Sequence, residues 1–152
     1  LGLLMFSATL IFSPLISRAV DGGWLPIPAG IPDYLHPLKQ LSIAEIRAEL
    51  VAQGALPLIP VVLLLNILSE EVFWRGIVFP RQELVYGNRT FLIHGLIWAF
   101  SHLFQYWLLP PILVGSVALG YVYQRTRTTW TGILAHMLNN ALPFVVMFVL
   151  VA

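Results

Sequence analysis

The chain has 152 residues, 59% of them hydrophobic and only 10% charged, with a net charge of +1 and no cysteine. A soluble domain carries about 25% charged residues, and one this small has too much surface to wet for a thick core to explain the deficit, so a membrane-embedded chain is expected. The small net charge leaves no global field to gather nucleic acid, and the lack of cysteine excludes disulfides, thiolate zinc sites and a cysteine nucleophile.

In chain order, Leu1 to Ile16 reads as a first spanning helix, with Pro14 near its end. It has no basic start, and Ser17-Arg18-Ala19 is a poor cleavage site, so it does not read as a signal peptide. The chain opens on Leu rather than Met, and an incomplete N-terminus is expected. Asp21 to Lys39 is dense in Gly and Pro and reads as a loop, with Trp24 and Tyr34 suited to the membrane interface. Ser42 and Glu45 have the spacing of a capping box. They open a short amphipathic helix with Ile43, Ile46, Leu50 and Val51 on one face, better suited to packing on other helices than to lying on the bilayer.

Four more apolar segments follow, at about Leu56–Val78, Thr90–Leu109, Ile112–Gln124 and Trp130–Val151. Pro110-Pro111 reads as a tight turn, because the residue before a proline is pushed out of helical geometry. The expected fold is all-α, a polytopic transmembrane bundle of about five spanning helices plus the amphipathic one. It forms one membrane-embedded domain over residues 1–152, with a motif-bearing core at 59–143. Arg81 and Arg89 lie between the second and third segments, Arg125 and Arg127 between the fourth and fifth. These turns must share one side of the membrane, and the positive-inside rule makes it the cytoplasmic one.

Several polar residues interrupt the apolar segments: Asn66, Glu70, Glu71 and Arg75, then His94, Ser101 and His102, then His136, Asn139 and Asn140. An ionisable group at bilayer depth costs about 2.5 to 3.5 kcal/mol on insertion scales and usually faces the bundle interior. Glu71 and Arg75 are four apart with the acid first, the favourable order for a helical ion pair. Glu70 points about 100° away and is left for another partner. Trp98/His102 and His136/Asn140 repeat the four-residue spacing on two other helices. A buried carboxylate can take a proton from water, an imidazole can hold that water, and a second imidazole with a carboxamide can stabilise an oxyanion. This set suits amide hydrolysis. The same imidazoles and carboxylate could instead hold zinc, although the helical HExxH motif is absent. Plainer readings stand beside these. Glu71–Arg75 also serves as a purely structural pair, His94 as a packed or interfacial ring and His36 as a solvent or headgroup contact. Asn66 and Asn139 read as interhelical hydrogen-bond glue.

Glu70-Glu71-x-x-x-Arg75-Gly76, Trp98-x-x-x-His102 and His136-x-x-x-Asn140 resemble, in order, the EExxxR, FxxxH and HxxxN motifs of the CPBP family. These are the CAAX-processing and bacteriocin-processing intramembrane proteases, also called the Abi family. The likeness covers about Ile59 to Pro143, and Trp98 departs from the more usual Phe while keeping an aromatic wall. The resemblance implies that Glu70 activates water with help from His102, that His136 and Asn140 stabilise the oxyanion, and that Glu71 and Arg75 support them. It also implies a peptide or protein substrate, prenylated in some members, a place in a prokaryotic cell membrane, and no nucleic-acid partner. Metal use is open. The mechanism built from the residues needs no cofactor, while a zinc ion would take Glu70, His102 and His136. A non-catalytic scaffold or a bacteriocin-immunity protein of the same family is the alternative, and a small transporter or proton relay a third reading.

Overall fold

The computed structural model describes residues 2–31 and 42–150, with side chains described for all of these except 2–10, 43 and 141–150. Expectations for Tyr34, His36, Lys39 and the side chain of Ile43 fall outside the described residues. Every regular element among the described residues is helical.

Helix α1 (Gly2–Asp21) runs through Pro14 and Arg18 and ends five residues beyond the expected boundary. After it, Gly23 and Gly30 take positive φ in the loop, and Trp24 is exposed, as an interfacial ring would be. Helix α2 (Ile43–Ala52) begins at the expected capping box. The Ser42 N–H donates to Glu45 Oε2 at 2.7 Å, and the Glu45 N–H donates to Ser42 Oγ at 3.2 Å. The Ser42 N–H first, and then the Ser42 hydroxyl donating to the same Glu45 oxygen at 2.8 Å, hold the Glu45 carboxyl below its usual range. Leu50 is buried, but Val51 stays exposed, so the apolar face of α2 is covered only in part. It touches α7 and the 3-10 turn Leu56–Leu58.

Helix α3 (Ile59–Glu71) passes into a π-helical stretch, Val72–Val78, and then into α4 (Phe79–Tyr86). The widened turn lies between Glu71 and Phe79, where the Phe79 N–H donates to the carbonyl of Trp74. π turns of this kind are rare and gather at functional sites. Gly87, at φ 55°, breaks the helix, and a 3-10 turn, Gly87–Arg89, leads into α5 (Thr90–Phe100). His94 meets Gln82 and the Arg75 guanidinium meets the Trp98 ring, so α5 returns antiparallel to the helix before it.

The third segment does not continue as one helix to Leu109. It stops at Phe100, and Leu103–Leu108 forms a 3-10 stretch with non-helical backbone at Gln105. The cause is local. Ser101 Oγ donates to the carbonyl of Trp98 at 2.7 Å, and His102 Nδ1 lies 3.0 Å from the same oxygen. Side chains that take a backbone acceptor compete with the helix ladder. Pro110-Pro111 is likewise no turn. Both prolines sit in the first turn of α6 (Leu109–Thr126), where no N–H is needed for the ladder. Helix α7 (Thr129–Leu150) follows Arg127, which caps α6 in the left-handed conformation.

The closest packing joins α5 to α6. A Cβ on Gly95 would lie 2.7 Å from the Cα of Val117, and one on Gly120 would lie 2.9 Å from the carbonyl oxygen of Phe91. Small residues at such crossings let two backbones approach, the usual device of membrane bundles. Helix α1 lies on α6 and α7, and α3 lies on α7. Two helical stretches, Leu56–Phe100 and Leu103–Thr126, are long and apolar enough to cross a membrane, the first folding back at Gly87. Their most apolar windows are only 11% and 33% buried, so these side chains face outward and do not form the core of a soluble domain.

The arginine-bearing turns share one end of the bundle, as the connectivity requires. Arg127 pairs with Glu83, and Gln124 donates both to Glu83 and to the Gly87 carbonyl, each at 3.0 Å. The bond to Glu83 holds the Arg127 guanidinium even more firmly in its charged form.

Candidate active site

Glu70 and Glu71 close α3 side by side and face different surroundings. Glu71 is fully buried, as is Arg75 one turn later. Arg75 Nη1 donates to Glu71 Oε1 at 3.0 Å, so the pair expected from the spacing is formed. The guanidinium carbon also lies 4.2 Å from the centroid of the Trp98 ring. A desolvated cation on an aromatic face gains about 2 kcal/mol, which offsets the lack of hydrogen-bond partners for Arg75 Nε and Nη2 among the described residues.

Glu71 has a second partner that its sequence spacing did not reveal. His136 Nδ1 lies 3.1 Å from Glu71 Oε1. A carboxylate accepts, so Nδ1 carries the proton, and Nε2 is the nitrogen left for other chemistry. Helix α7 can approach this closely because residue 132 is glycine. A Cβ there would collide with the Glu71 carboxylate. Gly132 and His136 are four apart, so both face α3.

Trp98 packs edge-on to both imidazoles, with centroids 5.1 Å from His102 and 5.8 Å from His136. His102 sits in the break after α5. Its Nδ1 donates to the carbonyl of Trp98, which again leaves Nε2 as the free nitrogen.

Glu70, His102, His136 and Asn140, the four residues expected to act together, line one cavity of about 460 Å³. Trp98 forms part of the same wall, while Glu71 and Arg75 stand behind it. Asn66 and Asn139 also line the cavity, and their hydrogen bonds differ from the interhelical glue expected of them. Asn66 Nδ2 donates to Glu70 Oε1 at 3.0 Å along α3, and Asn139 Nδ2 donates to Asn140 Oδ1 at 3.0 Å. The second bond leaves the Asn140 amide hydrogens free to donate. Asn66 was recognisable in principle, standing four residues before Glu70 on the same face.

The rest of the wall comes from Phe104, Gln105, Leu108, Pro111 and Ile112. These belong to the 3-10 stretch and the first turn of α6. The cavity therefore lies toward the end of the bundle opposite the arginine-bearing turns.

His94 is fully buried, as a packed ring should be, between Trp74 and Phe79, with Nδ1 2.7 Å from Gln82 Oε1. It is no part of the cavity wall. Among the described residues no three His, Asp or Glu side chains gather as a metal-ligand set. A zinc ion on Glu70, His102 and His136 would need these side chains to draw closer than they stand.

A family model described as type II CAAX prenyl endopeptidase, Rce1-like, matches residues 52–142, more than half of the chain and the stretch that carries every cavity-lining residue. Comparison with curated proteins and with solved structures gives no match. The family match together with the outward-facing apolar helices makes the chain an integral membrane protein. With three motifs in order and their side chains gathered on and behind one cavity wall, the chain belongs to the Rce1-like family of type II CAAX prenyl endopeptidases.

Proposed function

We propose that the chain is an intramembrane endopeptidase that hydrolyses a peptide bond with a water activated by Glu70. The observation carrying this reading is the convergence of Glu70, His102, His136 and Asn140, drawn from three parts of the sequence, on one cavity. Glu70 Oε1 is engaged by Asn66, and Oε2 is free of hydrogen-bond partners among the described residues. In the proposed reaction the Glu70 carboxylate takes a proton from water while the water oxygen adds to the scissile carbonyl carbon. His102 Nε2 accepts the water's other hydrogen and holds it in line. The carbonyl electron pair moves to its oxygen, which meets the Asn140 amide and His136. For His136 to donate at Nε2 the ring is doubly protonated, with its charge against the Glu71 carboxylate. The C–N bond then breaks, the leaving nitrogen takes the proton from Glu70, and one water has been consumed. These steps need no cofactor.

The substrate is a peptide or protein segment at the membrane. The apolar wall of Phe104, Leu108 and Ile112 beside the polar groups suits a lipid-modified or apolar chain, and the family's name points to a prenylated C-terminus. The positive-inside rule places the Arg81, Arg89, Arg125 and Arg127 turns on the cytoplasmic face of a prokaryotic cell membrane.

The test is cleavage of an internally quenched, farnesylated CAAX peptide by the protein in liposomes. Glu70→Gln and His136→Ala should each lower kcat by roughly 10² to 10³-fold, the range for a lost base or oxyanion donor. Parent-like rates in both variants would refute the mechanism.

A further inference from the structure

We propose that Asn66 is a positioning residue for Glu70, holding its carboxylate in one rotamer at the cavity wall. Asn66 stands outside the family-like motifs, one helical turn before Glu70. Both side chains line the cavity, and the contact between them is a single bond from Asn66 Nδ2 to Glu70 Oε1 at 3.0 Å. Oε2 is buried and accepts no hydrogen bond among the described residues. A carboxylate on a flexible two-carbon stem can turn either oxygen inward. A donor on one oxygen holds the group in one rotamer and leaves the other oxygen with its basic lone pairs. Asn66 is itself exposed toward the cavity and makes no bond to another helix among its described hydrogen bonds, so a packing or glue role leaves its position unexplained. Glu71 needs no such help, since Arg75 and His136 already hold it. The part Asn66 plays in hydrolysis rests on the function proposed above, whereas its hold on Glu70 does not.

The experiment therefore has two arms on the full chain in liposomes. In the first, dicyclohexylcarbodiimide, an apolar reagent that adds to protonated carboxyl groups, labels the protein at neutral pH, and mass spectrometry assigns the adduct to Glu70 or Glu71. Asn66→Ala and the near-isosteric, uncharged Asn66→Leu both remove the donor on Glu70 Oε1. Each should raise labelling at Glu70 on the order of tenfold, as loss of a charge-assisted bond implies, with Glu71 unchanged. Parent-like labelling of Glu70 in Asn66→Leu overturns the proposal, because that variant keeps the branched shape and loses the amide without adding a charge. The second arm measures kcat on the farnesylated peptide in a double-mutant cycle. Asn66→Leu should lower kcat by about tenfold or more in the parent with KM little changed, and cost nothing further on Glu70→Gln. Equal losses in both backgrounds would overturn it, since they mark a structural role. If the parent cleaves no peptide while Asn66→Leu still alters Glu70 labelling, the peptidase reading fails and the positioning role stands.

Discussion

Glu70 and Glu71 are neighbours in sequence with opposite tasks in the fold. Glu71 is enclosed by Arg75, His136 and the bare Cα of Gly132, and Glu70 meets the cavity with one oxygen tied to Asn66. The Glu71–Arg75 bond was readable from a four-residue spacing. The Glu71–His136 bond was not, because it spans 65 positions and depends on how closely α7 docks. The enclosure predicts a specific stability pattern. Arg75→Leu leaves a buried carboxylate with only an imidazole beside it and should cost about 3 to 5 kcal/mol, seen as lower melting in detergent. Adding Glu71→Gln should restore much of that loss, because a neutral amide needs no counter-charge. A double variant as unstable as the single one would show that Arg75 acts through packing on Trp98 instead.

At the level of elements, apolar runs and turn residues indicated most helices but not α4, which continues the segment expected to end near Val78, and three local events also escaped that reading. The stretch VFWRGIV carries no mark that separates a π turn from an α turn. Ser101 and His102 end α5 because their side chains take the Trp98 carbonyl, and Pro110-Pro111 start α6 because a first turn tolerates missing N–H groups. The capping box of α2, in contrast, was fully legible, since it depends only on residues three apart. Its carboxyl sits below the usual range in the folded chain. Its contribution is therefore present above the normal carboxylate range, near pH 4, and is lost as the pH falls through that range and below. Hydrogen-exchange protection of α2 amides, corrected for intrinsic rates, should thus fall in acid. In Glu45→Gln, which keeps the cap geometry without a titrating group, that acid dependence should disappear.

Across the whole molecule, the antiparallel path of α4, α5 and α6 sends the arginine-bearing turns to one end and the cavity rim to the other. Chain connectivity and charge alone indicated that the two turns share a side. That the four motif residues meet nearer the opposite end depends on how far along each helix they sit, and became visible only with the break at Ser101. Because the chain has no cysteine, single cysteines can report on each end. Asn88→Cys, in the arginine-bearing turn, should resist a membrane-impermeant maleimide applied to intact cells, and Gln105→Cys, at the cavity rim, should react with it. Labelling of both on the same side would contradict the described path of the chain. A consequence for topology follows. Under the function proposed above, the compartment in which a bond is cut is set by four basic side chains that line no part of the cavity. Moving those charges to the opposite loops would turn the protein over and deliver unaltered chemistry to the other side of the bilayer.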